Sequence, residues 1–261
     1  MLSIPKFKIM KETPGKIFLA EQRILTQTKK FRIFSTFNFD GYYQEHKEPF
    51  GNLYTFNEES LAGSQFLNFT VEQASYIIIL PIAGALHCID SSGNISEVDV
   101  EEILVIEVPD NTSYKIVNPY ENDVISLLQI WIKAKEPVNS VSTHLFEFNF
   151  NSIQNKLRNI ITEKRENATV NEFNFFLSLG QFAGRQEEIY SIKKKESLCF
   201  AFVLSGAFEV EGRLLHENDG LALWETESFE LEALSNNALV LVLEFDNVNY
   251  VSLSSTLANI N

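Results

Sequence analysis

Two stretches of this chain share one pattern, and that repetition limits the folds open to it. From Tyr76 to Trp131 the chain reads YIIILPIAGALHCIDSSGNISEVDVEEILVIEVPDNTSYKIVNPYENDVISLLQIW, short apolar runs broken by Gly, Pro, Asn and Asp. Such runs, alternating with turn formers, read as strands and tight turns of a small β-barrel. From Leu198 to Phe245 the pattern returns as LCFAFVLSGAFEVEGRLLHENDGLALWETESFELEALSNNALVLVLEF. Gly84-Ala85 and Gly206-Ala207 hold the same place, after one apolar strand and before the next, and each copy closes on an apolar run, LLQIWI or LVLVLEF. A duplication spaced by about 120 residues, with almost no helical periodicity, predicts an all-β chain of two tandem barrels with little helix. The 261 residues allow two domains of about 130, each able to bury roughly two thirds of its unfolded surface.

Along the chain, Lys16 to Phe39 predicts one or two strands, and the aromatic, turn-rich segment from Phe39 to Gly63 reads as an ordered loop packing across the barrel. From Phe66 to Tyr76, Leu67, Phe69 and Val71 share one face while Asn68, Thr70 and Glu72 share the other. A hairpin from Leu86 to Val98 turns through Ser91-Ser92-Gly93-Asn94, and Glu102 to Val108 is a strand stopped by Pro109-Asp110. Tyr114, Ile116 and Asn118 share a face, and Leu127 to Ile132 closes the unit. Glu136-Pro137-Val138-Asn139-Ser140 reads as a linker. The expected domains are therefore residues 1–136 and 137–261. Ser152 to Glu166 carries Ile153, Leu157, Ile160 and Ile161 at helical spacing, although Ile160-Ile161-Thr162 suits a strand equally. Strands are expected from Asn174 to Ala183, from Glu187 to Ile192 and around Phe229 to Ala233.

The formal net charge of −14 works against direct binding of a phosphate backbone, so no direct nucleic-acid contact is expected. The one basic cluster, Lys193-Lys194-Lys195, reads as a solvated turn. The opening MLSIPKFKIMKETPGK has no apolar signal core, and the run from Tyr76 to Leu86 is interrupted by Pro81 and Gly84. A soluble, cytoplasmic protein without a membrane segment is expected. The two cysteines, Cys88 and Cys199, show no metal or disulfide spacing and are expected as buried thiols. The Asn-x-Ser/Thr triplets at Asn68, Asn94, Asn111 and Asn167 read as chance in an Asn-rich chain.

Several segments carry a family resemblance: STFNFDGYY (Ser35 to Tyr43), FGNLYTFNEESLAG (Phe50 to Gly63), GALHCIDSSGN (Gly84 to Asn94), NPYENDVISLLQIWI (Asn118 to Ile132) and NDGLAL (Asn218 to Leu223). In this order, across most of the chain, they resemble a pirin-like bicupin. The resemblance implies two cupin-type barrels and, in metal-bearing members, an iron or similar ion in the first barrel held by His-x-His, a later His and a Glu two residues on. Neutral imidazoles and one carboxylate suit a first-row metal and leave a position open. Counting back from Gly84, the His-x-His pair falls on Thr70-Val71-Glu72; counting back from LLQIWI, the later His and Glu fall on Tyr114 and Ile116. All four ligand positions are thus changed, and Thr70, Glu72, Tyr114 and Ile116 are expected to line a metal-free polar pocket.

The chain's four histidines, His46, His87, His144 and His216, are scattered and form no replacement triad. His46 and His216 read as surface residues, and His87 as a hydrogen-bonded structural residue. No catalytic motif, cofactor or metal is expected. The expected function is a non-catalytic pirin-like scaffold that binds a small molecule or a protein partner, in an oligomeric state that the sequence leaves open. The alternative is a metal-dependent dioxygenase of the quercetin 2,3-dioxygenase type.

Overall fold

The computed structural model describes residues 13–162 and 173–247. In chain order the strands are β1 (Gly15–Phe18), β2 (Ile24–Gln27), β3 (Phe31–Ser35), β4 (Leu53–Leu61), β5 (Phe66–Val71), β6 (Ser75–Ala83), β7 (Leu86–Ile89), β8 (Ile95–Val98), β9 (Glu102–Val108), β10 (Thr112–Val117), β11 (Ile125–Lys133) and β12 (Ser142–Glu147). They continue as β13 (Arg158–Ile161), β14 (Phe175–Phe182), β15 (Glu187–Ser191), β16 (Leu198–Ser205), β17 (Ala207–Val210), β18 (Arg213–His216), β19 (Gly220–Leu223), β20 (Ser228–Ala233) and β21 (Ala238–Phe245). Helix among the described residues is limited to three short 3-10 turns, and no helix there is long and apolar enough to cross a membrane.

The strands form two cupin-type sandwiches. The first joins a seven-stranded sheet, in the order β12-β9-β6-β11-β4-β3-β2, to a four-stranded sheet, β5-β10-β7-β8. The second joins a six-stranded sheet, β1-β19-β16-β21-β14-β13, to a four-stranded sheet, β15-β20-β17-β18. Within each unit the sheets are separate ladders facing each other across a core. The duplication is visible strand by strand, since the two small sheets share one order. Gly84 and Gly206 sit at φ +76° and +78°, turning the equivalent hairpins through the left-handed region that favours glycine.

The long apolar runs arise because the two large sheets are covered on both faces. On β6, Tyr76, Ile78 and Leu80 enter a core shared by both halves, while Ile77 and Ile79 enter the first sandwich. On β16, Phe200 and Phe202 enter the shared core, while Cys199, Ala201 and Val203 enter the second sandwich. Aromatic contacts dominate the shared core; the Phe56 ring lies 5.1 Å from Phe200 and 4.5 Å from Phe202.

Chain order and domain order differ at the sheet edges. β1 pairs with β19 of the second half, and β12, beyond the expected linker, pairs with β9 of the first. Each half therefore receives an edge strand from the far side of the expected boundary. The segment expected as a loop from Phe39 to Gly63 contains β4, a nine-residue strand. Its inward side chains are largely polar, which hides the alternation. The stretch from Ser152 holds a 3-10 turn (Phe150–Ile153) and then β13; with the β-branched pair Ile160-Ile161 at its end, β13 pairs with β14 instead of continuing a helix. Residues 163–166 and the Asn167 triplet lie outside the described residues.

Candidate functional site

The first sandwich has a polar row inside an apolar core. Directly opposed residues on antiparallel strands share a face, and β4 opposes β11 as Thr55 to Trp131, Asn57 to Gln129 and Glu59 to Leu127. Trp131 and Leu127 belong to the core of this sandwich, so Thr55, Asn57, Glu59 and Gln129 point inward with them. From β10, Tyr114 donates its hydroxyl to Gln129 Oε1 at 2.8 Å. Trp131 Nε1–H also donates to Gln129 Oε1, at 2.6 Å, and lies 3.0 Å from the Tyr114 hydroxyl. With its oxygen thus occupied, Gln129 turns its amide nitrogen to Glu59 Oε2, at 3.4 Å.

Burial governs the chemistry of this row. Glu59 is 0% exposed, and loss of water pushes its carboxyl up to about 8, with Asn57 beside it pulling the other way. A carboxyl in that state is largely neutral at pH 7. Burial first, and the Glu59 carboxyl second, hold the Tyr114 phenol well above its ordinary range. Burial likewise pushes the Cys88 thiol up to about 12. The second sandwich treats its buried carboxylate differently: Glu244 accepts the Tyr190 hydroxyl at 2.9 Å and the backbone N–H groups of Lys193 and Lys194 at 3.0 and 2.9 Å.

Above the polar row lies a cleft of about 720 Å³ between β2, β3, β4, β5 and the turn after Phe39. Trp131 forms its floor, with ring centroids of Phe39, Tyr54 and Phe69 at 5.6, 5.7 and 6.1 Å. The Asp40-Gly41 turn, at φ +50° and +78°, carries Tyr42 and Tyr43, 55% and 71% exposed, to the cleft's mouth. The indole thus joins two environments, its N–H bonded inward to Gln129 while the ring lines the cleft.

The four residues expected to share a pocket are divided between two places. Thr70, on the outer face of β5, and Glu72, just beyond the strand's end, are exposed at the rim of the cleft, where the Thr70 hydroxyl pairs with Ser113 at 2.9 Å. Tyr114 and Ile116 are buried in the core and do not line the cleft. The inward residues of β5 are Leu67, Phe69 and Val71, and Phe69 stacks on Tyr114 at 5.4 Å. Sequence reading missed Asn57, Glu59, Gln129 and Trp131 as a group. The available signal was Asn and Glu two apart, two residues after Thr55, in the segment read as a loop. Among the described residues, no three His, Cys, Asp or Glu side chains gather in a way that could hold a metal ion. His144 meets Glu107 at 3.1 Å and His87 meets Glu97 at 3.7 Å; His46 and His216 are exposed, and both cysteines are buried and free.

This architecture matches known proteins along most of its length. The crystal structure of YhhW from Escherichia coli superposes with a TM-score of 0.80 at 18% identity, covering 90% of this chain and 99% of that one. A nickel(II) complex of the same bacterial pirin gives 0.78. The family model of the quercetinase C-terminal cupin domain matches residues 163–245. The fold is that of the pirin-like bicupins. Among curated relatives, quercetin 2,3-dioxygenase of Escherichia coli K12 is 21% identical over 206 residues, 79% of this bicupin and 88% of the relative. A quercetin 2,3-dioxygenase structure from Acinetobacter baumannii has a TM-score of 0.70 at 13% identity, over 92% of this chain and 88% of that one.

Proposed function

We propose that this pirin-like bicupin binds a planar aromatic small molecule in the cleft of its first sandwich, without a redox metal and without catalysis. The observation that carries the reading is the aromatic cleft itself, in which Trp131 lies beneath Phe39, Tyr54 and Phe69 in about 720 Å³. That volume falls within the roughly 300–1,000 Å³ usual for small-molecule sites, which combine an apolar wall with a few polar anchors. Thr70 and Glu72 supply a polar rim. The residues inside do not fit the metal that the resemblance implies: the inward positions of β5 and β10 carry Leu67, Phe69, Val71 and Ile116, and Tyr114 is engaged with Gln129. Hydrocarbon side chains offer a first-row ion no lone pair.

The relatives' names supply a first probe, quercetin. With Trp224 replaced by Phe, Trp131 is the sole tryptophan and reports directly from the cleft floor. Quercetin is expected to quench it saturably, and Tyr54→Ala to weaken binding about tenfold through the lost ring contact. Absence of saturable quenching sinks the reading. The dioxygenase alternative would return if purified protein held stoichiometric metal and consumed quercetin with dioxygen in a chelator-sensitive way.

A further inference from the structure

Among the described residues, three of the five buried side-chain atoms without a hydrogen-bond partner belong to two neighbours, Asn57 (Nδ2 and Oδ1) and Glu59 (Oε1). Each unmade bond of this kind costs about 1–3 kcal/mol, and native folds carry only a few. Their position gives the cluster a use. Glu59 is directly opposed by Ile33 on β3, and Asn57 follows Thr55 on the same inward face. Ile33, Thr55 and Trp131 all line the cleft. The unpartnered atoms therefore belong to the next layer of side chains on the same inward sheet face, directly beside residues that line the cleft.

Resting on the cleft reading, we propose that the site continues through this layer to an inner polar anchor, Asn57 with Glu59, which selects uncharged aromatic ligands whose polar end both donates and accepts hydrogen bonds. The Asn57 amide offers one donor group and one acceptor, and a neutral Glu59 offers a second donor. A carboxamide or hydroxyl group at the end of an aromatic ring satisfies both residues while its ring stays against Trp131, Phe69 and Phe39. An aromatic carboxylate does not. It brings a second acidic group beside Glu59 in a water-poor interior, where one charge must be neutralised or left unpaired. The anchor thus discriminates by hydrogen-bond pattern and charge, and the cleft by ring shape.

The test uses three probes with one ring: benzamide, benzoate and toluene. Binding to the full chain is followed through the Trp131 indole N–H in nitrogen-15 correlation spectra. Benzamide is expected to half-saturate at a concentration about tenfold below that of toluene or benzoate. In Asn57→Leu the benzamide advantage disappears while toluene binding stays within about threefold of the parent. Should the variant fail to fold, a structure of the parent soaked with benzamide decides. An amide within hydrogen-bond reach of Asn57 and Glu59 supports the proposal, and one held at the rim by Thr70 or Glu72 overturns it. Equal binding of benzamide and toluene means that water alone meets the inner atoms; that overturns the anchor and leaves the cleft intact. No response to any probe overturns both.

Discussion

Glu59→Gln isolates the one buried carboxyl that, among the described residues, the fold leaves nearly unpartnered. In the unfolded chain this group titrates near 4.5, and in the folded state near 8. Between those values the unfolded chain has released the proton and the native protein retains it. The native state then binds more protons than the unfolded one, so its stability falls as pH rises through this window. In mid-window each pH unit removes about 1.3 kcal/mol, falling toward pH 8 as the native group itself ionises, or about 3.5 kcal/mol in all between pH 5 and pH 8. Glutamine keeps the shape and an oxygen for Gln129 while abolishing the titration. Urea unfolding of both proteins at pH 5, 6, 7 and 8 should therefore give curves that diverge, the variant gaining on the parent at every step. The many other acidic groups are common to both proteins and cancel in the difference where they are distant from the site. A constant offset between amide and carboxyl also leaves the slope untouched. Parallel curves would refute the reasoning, because they would mean that Glu59 ionises in the native core as easily as in water.

The opposite sign is expected at Glu244→Gln. That carboxylate accepts the Tyr190 hydroxyl and two backbone N–H groups, so removing its charge should destabilise the protein by about 3 kcal/mol in urea at pH 7; a loss below about 1 kcal/mol would contradict the partnering. Phe56→Ala deletes a ring 1% exposed between Phe200 and Phe202 and should cost about 3–5 kcal/mol. Because the shared core belongs to both halves, single-tryptophan proteins reporting from Trp131 and from Trp224 should show the same midpoint shift, and a shift confined to one reporter would show the halves to be independent.

The parts of the fold legible in the sequence are those where burial and chemistry agree. The alternation of Leu67, Phe69 and Val71 with Asn68, Thr70 and Glu72 matches the burial of β5 residue by residue, because one face of that sheet is wet and the other dry. The unbroken run Tyr76 to Leu80 announced a strand, but its two-faced burial depends on the second half of the molecule, which local pattern does not contain. The exchange of β1 and β12 was equally hidden. Each is a short strand of ordinary composition, and its partner is decided by which sheet edge stands open in three dimensions.

The candidate site was obscured by two separate effects. β4 turns Thr55, Asn57 and Glu59 into the core, so the usual hydrophobic signal of an inward face is absent and the strand reads as a loop. Motif counting then met the side-chain period of a strand, which is two residues, so that displacement by one carries every position to the other face. Counting back from Gly84 lands on Thr70 and Glu72, the outward set, whereas counting back from LLQIWI lands on Tyr114 and Ile116, the inward set. Cross-strand pairing exposes the mismatch: Tyr114 opposes Phe69, and Thr70 opposes Ser113. Two residues placed on opposite faces of one sheet cannot act on a single ligand atom from the same side. What converges behind the cleft is instead Asn57, Glu59, Gln129 and Tyr114, from three strands and two sheets, and Trp131 is the side chain through which that group meets the outside.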